Sequence, residues 1–174
     1  GGMKSLKIGD KVIYPNQGLG VVEGINEDSY DGERFTVFHL RIICNNTLVT
    51  VPSTTALEIG IRRPVNEGSI KKIYHFMGNG DVDVTTDWKG RYKEHLNLMR
   101  SGTLSDMATV LKSLYYLSLH KPLSFREKKM MEKAKELMVS EISEAVASPS
   151  SKVEEKLLGT LSRCFKAAKP RIAA

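Results

Sequence analysis

Residues 85–95 read TTDWKGRYKEH and hold the only tryptophan of the chain, Trp88, beside Lys89, Arg91 and Lys93. A flat, mostly apolar ring among cations suits one chemistry in particular. The ring can stack on a base, or wedge beside a base step, while the cations neutralise flanking phosphates. A tryptophan can equally be a core anchor that ties its segment to a neighbouring bundle. The polar and charged neighbours on both sides leave both readings open.

A second group of cations lies in SFREKKMMEKAKEL. Arg126, Lys129 and Lys133 recur at i, i+3 and i+7 and share one helical stripe, with Lys128 off it at the edge of the apolar side. Such a stripe can contact phosphates. It can also be a solvated face, in which Lys128 and Glu132 form an ordinary i, i+4 pair.

Other candidate chemistries fall away. His39, His75, His95 and His120 have no metal-ligand spacing. Gly18, Gly20 and Gly24 imitate a nucleotide-binding loop, but the third glycine is one place late. The segment opens a β hairpin and not a strand-to-helix turn, so these glycines read as backbone requirements. Cys44 and Cys164 share no C-x-x-C spacing and read as reduced thiols. With no paired acid, base or nucleophile, a non-enzymatic protein is expected, with no metal, cofactor or small-molecule substrate.

The elements that must position these residues are of two kinds. KVIY, GVVEGI, RFTVFHLRII and TLVTV are rich in β-branched and aromatic residues. Pro15-Asn16-Gln17-Gly18, Asp31-Gly32 and Asn45-Asn46 punctuate them as turns. In the third segment Phe38, Leu40 and Ile42 share one face, and Phe35, Val37 and His39 the other. Four or five strands within about sixty residues, without helices, imply a small, strongly bent sheet or an SH3-like barrel.

After Pro52 the period becomes helical. SIKKIYHFMG predicts a short helix with Ile70, Ile73 and Phe76 or Met77 on one side, and GNGDVDVTTD a polar loop leading to Trp88. Leu104, Met107, Leu111, Leu114 and Leu117 trace one stripe, which ends at His120-Lys121-Pro122. Ser124-Phe-Arg-Glu127 matches a capping box, in which the glutamate reaches back to the cap. The helix it opens carries Met131, Ala134, Met138, Ile142 and Ala145 inward. Ser148-Pro149 breaks it, and Val153, Leu157, Leu158 and Leu161 mark a last helix.

The predicted fold class is therefore α+β with two domains, a small β module at 3–62 and a compact all-α bundle at 63–166. A basic tail at 167–174 is expected to be disordered. Charge divides the same way: residues 1–62 hold 6 basic and 7 acidic side chains, residues 63–174 hold 20 and 13. The second domain is thus the one suited to a polyanion. No apolar run is long enough to span a bilayer. The opening GGMKSLKIGD lacks a signal-peptide core, and Gly1-Gly2 read as an addition before a natural start at Met3.

LKIGDKVIYPNQGLGVVEGI, at 6–25, resembles the opening of the CarD/CdnL family of bacterial transcription regulators. DWKGRYKEHLNLMRSGTLSDMATVLKSL and LSFREKKMMEKAKELMVSEISEA resemble that family's helical domain in order, spacing and composition. The likeness extends over about residues 4–165. The opening motif is shared with the transcription–repair coupling factor, whereas the W-x-x-R-Y-K half points to the stand-alone regulator.

The resemblance implies a Tudor-like module that binds the RNA polymerase β subunit, with Asp28, Tyr30 and Thr50 at the contact. It also implies a helical domain on promoter DNA at the upstream edge of the bubble. There Trp88 would be a minor-groove wedge, and Lys93, Lys128 and Lys133 DNA contacts. Position 90 is glycine and position 28 acidic, where relatives can carry basic residues. The expected protein is cytoplasmic and nucleoid-associated, with no membrane partner, and stabilises the open promoter complex. The rival expectation is a nucleic-acid-binding protein that acts without polymerase.

Overall fold

A computed structural model describes residues 5–80, 82 and 88–167. The chain divides into two compact units, residues 1–64 and 65–174.

The first unit is an antiparallel meander of β1 (Lys11–Tyr14), β2 (Gly18–Tyr30), β3 (Glu33–Ile42) and β4 (Thr47–Pro52), in the order β1-β2-β3-β4. The Asp31-Gly32 turn has φ 53° and 80°, the doubly positive pair that a twisted two-residue hairpin requires. A bulge between Val22 and Gly24 shifts the register of β2 against β3 and helps to curl the sheet. A Cβ at Gly24 would lie 3.1 Å from the His39 ring, so close approach accounts for glycine there. Val12, Val22, Phe38, Leu40 and Val51 meet inside the curl with Leu6 and Ile61. This is the Tudor-like module that the strand pattern and the resemblance called for.

A short helix, α1 (Ser53–Ile59), was not expected; it buries Ala56 against that core. Seven residues, three of them Ser or Thr, are too few for a helical period to register. Gly60, at φ 89°, ends it and lets the chain return to β1. There the Ile13 amide donates to the Arg62 carbonyl at 2.6 Å, and the Arg62 amide to that of Ile13 at 3.1 Å. Arg63 then pairs with Asp10 at 3.2 Å. These ties carry the unit through Pro64, two residues past the charge break.

The second unit holds α2 (Glu67–Gly78), α3 (Trp88–Ser101), α4 (Leu104–Ser118), α5 (Phe125–Val146) and α6 (Ser150–Ala167). The predicted stripe on α4 is wholly buried, and Ala108, Val110, Lys112 and Ser113 are buried with it, so α4 is enclosed on most sides. Lys112 enters this core because it caps α2. Its ammonium lies 2.6 Å from the Phe76 carbonyl and 2.7 Å from Asn79 Oδ1, where the helix dipole favours a cation. Met138 and Ile142 of α5 and Leu157 and Leu161 of α6 complete the core. Lys166 and Ala167 belong to α6, and the rest of the predicted tail lies outside the described residues, as do positions 81 and 83–87 of the predicted loop.

Candidate nucleic-acid interface

The first two turns of α3 sort their residues by helical geometry. Arg91, His95 and Met99, spaced by four, form the buried face. Trp88, Lys89 and Lys93 are exposed. Trp88 begins the helix, 39% exposed. Its indole stacks on Tyr92 one turn on, with ring centroids 5.8 Å apart and 7° between the planes. The ring is thus neither in the core nor free, but held flat at the surface by a neighbour on its own helix.

Arg91 overturns one expectation. It is only 2% exposed, its Nε donating to Glu127 Oε2 at 2.9 Å and its Nη2 to Oε1 at 3.2 Å. The period that exposes Trp88 turns position 91 inward, so this guanidinium faces Glu127 and not solvent. The forked pair instead fastens α3 to the first turn of α5. It also alters the capping box: Ser124 accepts from the Glu127 amide at 3.2 Å, as expected. The Glu127 carboxylate, however, accepts from Arg91 and, at 3.5 Å, from the Ser124 hydroxyl, rather than from the cap amide. His95, 5% exposed, lies one turn beyond Arg91. Its Nδ1 has no hydrogen-bond partner among the described residues. Burial holds the imidazole pKa below the ordinary histidine value; Glu94 opposes this, Arg91 adds to it, and Glu127 opposes it.

The basic stripe of α5 adjoins this site. Arg126 lies over the Tyr92 ring, its guanidinium carbon 5.9 Å from the centroid. Trp88, Tyr92 and Arg126 therefore form one row from α3 to α5. Lys128 and Lys129 are exposed and Lys133 is half-buried. Lys129 Nζ lies 4.6 Å from the ring of Phe125, itself 71% exposed. The Lys128–Glu132 pair of the solvated-face reading is not among the ion pairs of the described residues; Glu132 accepts from Lys135, at 3.0 Å, and Lys135 also reaches Glu154 at 2.9 Å. Among the described residues, no carboxylate pairs with Lys89, Lys93, Lys128 or Lys133.

Sequence reasoning missed Tyr92, Phe125 and the Arg91–Glu127 tie. The i, i+4 spacing of Trp88 and Tyr92 was a usable signal. Nothing local announced that Arg91 and Glu127, 36 residues apart, would meet.

In the first unit, Asp28, Tyr30 and Thr50 are all exposed, Tyr30 to 80%. Asn26, Asp28 and Tyr30 alternate along β2 opposite Val37, Phe35 and Glu33, and Thr50 of β4 faces His39. Strand alternation puts all three candidates on the outer face of the sheet. Asn26 Nδ2 lies 3.0 Å from His39 Nε2, and His39 Nδ1 lies 3.2 Å from Thr50 Oγ1.

No described helix is long and apolar enough to cross a membrane. Residues 6–65 match the family described as the CarD-like/TRCF RID domain, and residues 72–158 the CarD C-terminal domain. A Bacillus subtilis (strain 168) protein named "Putative transcription factor YdeB" is 31% identical over 136 residues, which span 78% of this chain and 89% of that protein. The solution structure of the N-terminal domain of Myxococcus xanthus CarD is 36% identical, covering 33% of this chain and 77% of its own, with a TM-score of 0.29. The two family matches, with the relative named as a transcription factor, place the chain among transcription regulators of this kind. The chain belongs to the CarD family.

Proposed function

We propose that this protein binds the RNA polymerase β subunit through the outer face of β2, β3 and β4 and grips promoter DNA with its helical domain. It thereby stabilises the open promoter complex in the cytoplasm, at the nucleoid. One observation carries the DNA half of this reading: the row Trp88–Tyr92–Arg126 runs from an exposed indole to the lysines of α5. Lys89, Lys93, Lys128, Lys129 and Lys133 meet phosphates around that row, and Trp88 works at the upstream edge of the bubble. Unstacking a base step costs on the order of a few kcal/mol, and an aromatic platform returns about 1–3 kcal/mol per base. The indole therefore offsets most of that cost only where the step is already open. Tighter binding to melted than to closed DNA is the differential affinity that shifts the equilibrium.

The polymerase half is tested by retention on the immobilised β-subunit lobe. Retention that is lost in Tyr30→Ala but kept in Trp88→Ala supports it. No retention, with promoter DNA still bound, would favour a nucleic-acid-binding protein that acts alone.

A further inference from the structure

We propose that a crevice between α2, the last turns of α5 and the first turns of α6 binds a small organic phosphate of mononucleotide size. It stands apart from the DNA and polymerase contacts proposed above. Ile142, in its wall, lies more than four turns beyond Arg126 on α5, about 24 Å along the helix axis. The cavity holds about 340 Å³, within the range of about 300–1,000 Å³ typical of small-molecule sites. Three helix faces build it. On α2, Glu67, Ile70, Lys71 and Tyr74 follow i, i+3, i+4 and i+7 spacing and so share one face. Ile142 and Val146 of α5 and Val153 of α6 join Ile70 in an aliphatic floor. The α5–α6 corner is held in place. The Ser148 amide donates to the Ser143 carbonyl at 3.2 Å, and the Ser143 hydroxyl to the Ser148 carbonyl.

The rim carries the charge. Lys71, Lys152 and Lys156 are exposed there, against a single carboxylate, Glu67. Among the described residues, no carboxylate pairs with any of these three ammonium groups. Lys156 Nζ lies 4.4 Å from the centre of the Tyr74 ring, which ties that cation to the crevice wall. The Tyr74 hydroxyl has no hydrogen-bond partner among the described residues. Burial holds the phenol pKa above the ordinary tyrosine value, so at neutral pH it stays an O–H donor. These features select the ligand. A bare phosphate would satisfy the lysines and leave the aliphatic floor wet. A wholly apolar ligand would cover the floor and strip water from unpaired cations. A phosphate on an apolar body meets both demands. The body lies on the floor while the anion accepts from Tyr74 and the lysines.

The test is a titration of the isotope-labelled full chain with adenosine monophosphate, adenosine and inorganic phosphate, followed by amide NMR shifts. The monophosphate is expected to shift Ile70, Tyr74 and Val153 saturably, with a Kd of about 1 mM or tighter. Adenosine lacks the charge and phosphate lacks the body, so each should bind about tenfold more weakly or worse. Lys156→Glu should weaken the monophosphate about tenfold or more, and Lys71→Ala by a smaller factor. Melting temperatures should match throughout, since both side chains are exposed. Phosphate that binds as tightly as the monophosphate would reduce the crevice to a cation cluster and overturn the proposal. Shifts centred on Trp88 and Tyr92 would also overturn it, by placing the nucleotide on the DNA face, and would leave the DNA reading in force. An absence of saturable shifts with the monophosphate refutes it outright. Should Lys156→Glu then lose polymerase retention, the crevice is a protein contact instead.

Discussion

Arg91 Nε lies 2.9 Å from Glu127 Oε2, and both side chains are 2–3% exposed. This buried pair joins the turn after Trp88 to the turn that carries Arg126 and Lys128. Removing one partner leaves the other charged and buried. Glu127→Ala should therefore lower unfolding free energy by about 3–5 kcal/mol, read by urea denaturation. Arg91→Met with Glu127→Leu should recover much of the loss, because a matched apolar replacement avoids the desolvation cost. A Glu127→Ala protein as stable as wild type would mean that the pair contributes nothing.

His95 provides a pH signature. Its folded-state pKa is held below the unfolded value, chiefly by burial. Its contribution is therefore fully present above the unfolded pKa of about 6.5 and is lost as pH falls through the folded one. The loss can be no steeper than about 1.4 kcal/mol per pH unit. Denaturation midpoints should fall between pH 7.5 and 5.5, and His95→Gln should flatten that decline. The carboxylates held below their ordinary values, Asp10 and Glu23, act only at lower pH. An identical decline in the variant would assign the effect elsewhere.

Lys93, Lys128 and Lys133 should each, on change to alanine, reduce the salt dependence of promoter binding by about 0.9 in log–log slope. Sequence preference should hardly alter, because phosphate contacts position without reading bases. The triple variant separates a phosphate face from a solvated one: an unchanged slope would assign these lysines to solubility alone.

Much of this arrangement could be read from the chain, and its limits are physical. The strands were legible because alternation repeats every second residue and Asp31-Gly32 has few other uses. The α4 and α5 cores were legible because their periods run for several turns. Seven-residue α1 offered too short a window. Arg91 was misassigned because composition marks a cation but not the side of the helix it faces. Spacing from Trp88 would have turned it inward, yet its partner Glu127 already had a local role to account for it. Phe125 lies inside the capping box, a pattern defined by its serine and glutamate that carries no information on the ring between them. Pairings distant in sequence have no local signature, so the row from Trp88 through Tyr92 to Arg126 emerged only with the fold.

Tyr30, 80% exposed on the outer sheet face, should matter for polymerase and little for folding. Tyr30→Ala is expected to keep its melting temperature within a few degrees and to lose retention on the β-subunit lobe. Unchanged retention would move the contact away from the β2–β3 hairpin.

The central claim is that the Trp88 ring has DNA and not the core as its partner. It is tested most directly by the decay rate of the open promoter complex with the Trp88→Ala protein, normalised to folded protein by a parallel melting curve. The ring is 39% exposed and rests on Tyr92. Its truncation should therefore spare stability, whereas a core tryptophan would cost about 3–5 kcal/mol. The account predicts decay faster by about fivefold or more, the equivalent of one lost stacking contact, with polymerase retention intact. A steep fall in melting temperature with unchanged decay per folded molecule would contradict it.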